Sequence, residues 1–226
     1  GATWASCAIE FGPRSVLDRF GQVEPTVLLT VGGYGYGDKR VGRTAEVAEV
    51  VAGLPTLRAV VDLEYGDHRT GVEGAVSWTE ALREAGAGPL EFEPVAFDHP
   101  LFVLFSSGTT GLPKAIVHGH GGILLEHLKS HGLSWDLGPG DVFLWYTTTA
   151  WMMWNSLVSG LALGAGIVCI DGHPLHPDVD WQWRLAAATG TTVMGAAPGF
   201  VMASRRAGLH PAADHELRIR VFASAG

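Results

Sequence analysis

The sequence predicts an α/β fold, with mostly parallel doubly wound sheets carrying helices on both faces. Short runs rich in Val, Ile, Leu and Phe alternate with stretches of helical period, the rhythm of strands joined by crossover helices. Glycine and proline punctuate the junctions between these runs. Of 226 residues, 47% are apolar and 17% charged, which supports a large buried core and excludes a disordered chain.

Each element follows from local chemistry. Pro13 opens a helix whose apolar side is Val16, Leu17 and Phe20, and Gly21 closes it. Val27–Val31 and Leu57–Val61 read as buried strands; between them Val47, Val50, Val51 and Leu54 share one face of a helix. Ser77 and Glu80 form a capping box for a helix that Gly86 ends. Residues 86–100 hold three prolines and no clear period. They are the expected boundary between a first α/β subdomain, residues 1–97, and a second, residues 98–226, both partial. Beyond it come a strand at Leu101–Phe105, a return strand at Ala115–Val117, and a helix from about Gly122 to Gly132 that buries Ile123, Leu124 and Leu128. A further helix spans Asp180–Thr189 before Gly190, and Leu217–Phe222 is the last strand.

Charge and cysteine usage exclude several classes. A net charge of -8 opposes binding to nucleic acid or anionic lipid. Cys7 and Cys169 form no disulfide framework and no metal-ligand spacing, as expected of a cytoplasmic protein. From Val142 to Ile170 there is no charge, and Gly160 and Gly164 make a GxxxG. Thr147, Thr148, Thr149, Asn155, Ser156 and Ser159 nevertheless divide this run into a strand, a loop, a short helix and a second strand, each buried, rather than a membrane helix. Without an initiator methionine, and ending at Gly226 just past an apolar run, the chain is expected to be an interior piece of something longer.

The chemistry concentrates in Ser106-Ser107-Gly108-Thr109-Thr110-Gly111-Leu112-Pro113-Lys114. A strand delivers the chain into small hydroxyl residues and two glycines. Phosphate oxygens require many donors and little bulk, which backbone N–H groups at Gly108 and Gly111 and the hydroxyls of Ser106, Ser107, Thr109 and Thr110 supply. Lys114 adds a point positive charge. An ordinary Gly/Ser/Thr turn is the competing explanation, but four hydroxyls, two glycines, a proline and a terminal lysine together favour phosphate. The spacing is not that of a Walker A loop.

This loop resembles the phosphate-binding signature of the adenylate-forming superfamily, which includes the acyl-CoA synthetases. Ala115–Gly122, Leu137–Asn155 and Phe11–Pro25 resemble the acetoacetate-activating branch of that family. The resemblance implies part of the large N-terminal domain of an ATP-dependent acid–thiol ligase. Such an enzyme makes an acyl adenylate, releases pyrophosphate and passes the acyl group to coenzyme A. It implies that Ser106, Ser107, Gly108, Thr109, Thr110, Gly111 and Lys114 hold ATP phosphates, with Lys114, Thr109 and Thr110 closest to the chemistry. By the same resemblance Ser224, Ala225 and Gly226 run along the adenine, and Trp151, Met152, Met153 and Ala225 wall the acyl pocket. Core packing is the alternative for Trp151–Met153 and the preferred reading for Trp154.

The ligand of Mg2+, the hinge and the catalytic lysine of the mobile C-terminal domain are expected beyond Gly226, so the chain is expected to be inactive alone. The sequence departs from the pattern at Ala150 and Ala115, where relatives carry glycine, and at Gly35, where they carry a basic residue; no coenzyme A site is assigned. His118/His120 and His127/His131 lack the further Cys or carboxylate of a metal site, and no metal ligand is expected within the chain. A ligase for acetate or propionate, a nucleotide-binding module without catalysis, and a phosphotransferase are the alternatives; the last would require an Asp/Asn metal pair that is not found.

Overall fold

A computed structural model describes residues 1–106 and 111–225. The chain forms two compact units, Gly1–Gly119 and His120–Gly226. The division falls after Gly119, not in the proline-containing stretch at 86–100. The strand that follows those prolines is hydrogen-bonded into the first unit, and its Phe105 packs against that unit's core.

The first unit runs β1 (Trp4–Ala5), α1 (Pro13–Phe20), β2 (Val27–Thr30), β3 (Gly33–Tyr36), β4 (Lys39–Gly42), α2 (Thr44–Ala52), β5 (Ala59–Asp62), β6 (Val76–Ser77), α3 (Trp78–Ala85), β7 (Pro100–Ser106) and β8 (Lys114–Gly119). Strands β2, β5 and β6 make a parallel sheet in the order β2-β5-β6. Phe20, Leu28, Val50 and Leu54 form its core with Val16, Leu17 and Val51, so the helical faces read from sequence are the buried ones. Ser77 Oγ accepts the Glu80 N–H at 3.1 Å, half of the expected capping box; the Glu80 carboxylate turns to Arg83 instead. Strand β8 returns antiparallel along β7, as the return strand at Ala115–Val117 implied, whereas the antiparallel pairing of β3 with β4 was not anticipated. Burial pushes the Cys7 thiol up to about 12, which makes it an inert core group.

The second unit runs α4 (His120–His127), a π-helical segment (Leu128–Ser134), β9 (Val142–Trp145), α5 (Met152–Ser159), a 3₁₀ turn (Gly160–Leu163), β10 (Gly166–Val168), α6 (Trp181–Thr189), β11 (Val193–Ala196), α7 (Pro198–Arg206), α8 (Pro211–Asp214) and β12 (Val221–Ser224). Its four strands are all parallel in the order β10-β9-β11-β12. Alternation along the strands sorts the two faces. Phe143, Trp145 and Val193 pack with Met153 and Leu157 of α5; Leu144, Met194 and Ala196 pack with Trp183 of α6 and Phe200 of α7. Helices therefore cover both faces, the doubly wound arrangement. The chain leaves β9 in one direction to β10 and returns past it to β11, which makes β9/β11 the topological switch point. Gly195 lies beside Trp145 in register, and a Cβ there would fall inside the Trp145 ring.

Three expectations are corrected here. The last strand is Val221–Ser224, because Leu217 and Ile219 pack beneath α6 and α7 before the chain enters the sheet. The 142–170 run is only partly buried: β10 is a half-exposed edge strand, and Trp151, Met152, Val158 and Leu161 are exposed. The helix after Gly119 buries His127 and His131, while Leu124 and Leu125 are exposed and Ile123 and Leu128 are only half-buried. The two histidines, at i and i+4, take the inward face because Ser159 and Ser156 of α5 meet them there, partners that a count of apolar residues does not register. Among the described residues no helix is long and apolar enough to cross a membrane.

Two tests follow. Gly195→Ala is expected to cost about 2–3 kcal/mol in urea unfolding, the range for forcing extra volume into a packed core. The cost should shrink in a Trp145→Leu background. Burial, opposed by hydrogen bonds to the Ser156 and His127 backbones, holds the His131 imidazole below its ordinary value near 6.5. A group whose folded value is depressed binds more protons when unfolded, so stability should be full above about pH 6.5 and fall as pH drops through the folded value. His131→Gln should flatten that part of the stability–pH curve.

Candidate functional site

The residues singled out by sequence fall in both units, and each set is described within its own. In the first unit, β7 delivers the chain to Ser106 and β8 receives it at Lys114; these two residues are register partners across the antiparallel ladder. Ser107, Gly108, Thr109 and Thr110 lie outside the described residues. Gly111 and Leu112 are exposed, and Lys114 is exposed at the mouth of the hairpin. Gln22, just past α1, donates from Nε2 to the Pro113 carbonyl at 2.7 Å and pins the returning arm. Sequence analysis missed this anchor, since no local pattern links residues so far apart.

The hairpin geometry sets the electrostatics. The loop is followed in sequence by strand β8 rather than by a helix. Within the quoted loop sequence, Lys114 carries the one full positive charge. His118 packs its ring 5.5 Å from Phe102, its cross-strand partner, as a sheet residue. Among the described residues no three His, Cys, Asp or Glu side chains converge as a metal site.

In the second unit, parallel pairing brings the carboxyl ends of β9, β11 and β12 to one edge of the sheet. The loop from Tyr146 to Trp151 leaves β9 at that edge. Tyr146 donates its hydroxyl to the Gly172 carbonyl at 2.5 Å, and the Trp151 N–H bonds the Thr148 carbonyl at 3.3 Å, closing a tight turn into α5. Trp151 and Met152 stand 54% and 57% exposed, while Met153 is 9% exposed and belongs to the core around Leu157. The expected three-residue wall is thus two exposed side chains above one core residue. Trp154 packs half-buried against the same core, as expected.

Ser224 pairs in register with Ala196 and donates its hydroxyl to the Ala196 carbonyl at 2.9 Å; Ala225 follows, exposed. Gly226 lies outside the described residues. The structure adds Ala197–Gly199, exposed at the same edge where α7 begins with Pro198. Pro198, two residues after the buried run Val193–Ala196 ends, was the available signal for that strand-to-helix junction.

A loop rich in small hydroxyl residues on one unit and a doubly wound parallel sheet on the other are the marks of an α/β domain of the ligand-binding class. The chain belongs to the AMP-binding enzyme family, which matches residues 1–226. It is 42% identical over 229 residues to the acetoacetyl-coenzyme A synthetase of Rhizobium meliloti, with 100% of this chain and 35% of that protein covered. To the acetoacetyl-CoA synthetase of Gallus gallus it is 38% identical, with 96% and 34% covered. The solved acetoacetyl-CoA synthetase from Streptomyces lividans superposes with a TM-score of 0.92 at 56% identity, covering 100% of this chain and 35% of that one. The chain thus spans about a third of the length of the relatives it matches.

Exposure separates site from core by measurement. Met153→Ala should cost about 2–4 kcal/mol in chemical denaturation, as buried methionines do. Trp151→Ala and Met152→Ala should each stay within about 1 kcal/mol of the parent.

Proposed function

We propose that this chain is the nucleotide- and acid-binding part of an acetoacetate–CoA ligase that forms AMP. The reading rests chiefly on one observation: a chain of the AMP-binding enzyme family carries the Ser106–Lys114 loop on a hairpin whose mouth holds Lys114 exposed.

The reaction's first barrier is charge, since an anionic carboxylate must approach the anionic α-phosphate of ATP. Loop amides and the hydroxyls of Ser106, Ser107, Thr109 and Thr110 bind the β- and γ-phosphates, and Lys114 neutralises charge as pyrophosphate departs. The carboxylate oxygen forms its bond to the α-phosphorus as the bridging bond to pyrophosphate breaks. The coenzyme A thiol then attacks the acyl carbon and AMP leaves. Ser224, Ala225 and Gly226 take the adenine side, while Trp151 and Met152 bound the acid above the Met153 floor. Mg2+ would accompany the nucleotide and offset its phosphate charge. Small-molecule substrates and a cytoplasmic setting fit the acidic surface and the two unpaired cysteines.

In the complete ligase, Lys114→Ala should lower acetoacetate-dependent pyrophosphate release by roughly 10²–10³-fold, the usual loss for one charge-stabilising donor. Unchanged turnover would refute the phosphate role. A panel of acetate, propionate, butyrate and acetoacetate tests the acid; preference for acetate would overturn the acetoacetate assignment and leave the ligase class intact.

A further inference from the structure

Helix α5 carries the Trp151–Met152 turn at its start, yet it is only eight residues long, too short to hold itself in water. Its position is therefore set by what it touches. Met153 and Leu157 enter the core, and Ser156 and Ser159 make polar contacts, the first buried and the second part-buried. His131, 1% exposed, places Nε2 2.8 Å from the Ser156 carbonyl, and His127 places Nδ1 2.5 Å from Ser159 Oγ.

The Ser156 carbonyl is available because the helix tightens there: the Gly160 N–H bonds the Leu157 carbonyl instead of the one four residues back. A carbonyl can only accept, so the Nε2–H of His131 donates to Ser156; the Ser156 hydroxyl lies 3.2 Å from the same nitrogen and the Ser130 hydroxyl 3.0 Å from Nδ1. The ring is held besides by Trp135 at 4.8 Å and edge-on by Phe143 at 5.7 Å. His131 lies within the π-helical segment, a geometry that is rare and frequently found at functional sites.

We propose that His131 is a positioning residue for the acid side of the site: its Nε2–H bond to the Ser156 carbonyl fixes α5, and with it the Trp151–Met152 turn, against β9. This rests on the functional reading above for the identity of the acid, but not for the clamp itself.

Two variants of the complete ligase separate the roles. His131→Phe keeps an aromatic ring between Trp135 and Phe143 and removes the donor; His131→Gln restores a donor at the Nε2 position. His131→Phe should raise KM for the acid about five- to tenfold, the scale of one buried hydrogen bond, with KM for ATP within about twofold. His131→Gln should return it close to the parent. Hydrogen exchange of the α5 amides gives a readout independent of turnover, faster in His131→Phe and restored in His131→Gln. An unchanged acid KM and unchanged exchange in His131→Phe would overturn the proposal. So would acid and ATP KM rising together with a lowered Tm, the mark of general destabilisation. If the parent takes no short acid while exchange follows the variants as stated, the activity reading fails and the clamp stands.

Discussion

The indole of Trp145 lies over Gly195, where β9 and β11 run side by side, and the second unit is organised about that contact. Parallel strands pair well only when both faces are covered, and the only way to seat so large a ring against a neighbouring strand is for that strand to lack a side chain. The pairing puts β9 and β11 next to one another although β10 and α6 intervene in sequence. That adjacency creates the switch point and aims the loops after Trp145, Ala196 and Ser224 toward a common edge.

The loop after Ser106 obeys a different constraint. It joins two antiparallel strands, and the donors it offers in sequence are its own amides and hydroxyls together with Lys114. Lys114 is held by its pairing with Ser106 and by the Gln22 anchor on Pro113, which fix where the charge begins even though its side chain is free to extend. The Trp151–Met152 turn has the opposite character. Exposed Trp151 and Met152 stand on a helix with no charged residue, a wall suited to an acyl chain and unsuited to a phosphate.

His127 and His131 illustrate how a spacing can mean something other than it suggests. Two histidines four residues apart on a helix invite a metal, yet each bonds a different serine position on α5, and their rings lie 5.3 Å apart within an aromatic cluster. Both are buried, while Leu133, two residues past His131, is 83% exposed, so polarity along this helix is set by the partners available rather than by residue type.

The sequence by itself determined the elements whose chemistry is local. The Pro13 helix, the Val47–Leu54 face, the Ser77 cap, the Gly190 stop and the loop between strands at Leu101 and Ala115 all depend on residues within a few positions of each other, so each was legible. Only the tertiary structure decided the rest: that β11 pairs with β9, that Met153 turns into the core while Trp151 and Met152 face out, and that Gln22 holds Pro113. Each of these is settled by which distant surface is available to bury against or bond to, and that choice is made among residues tens of positions apart, where no periodicity reaches.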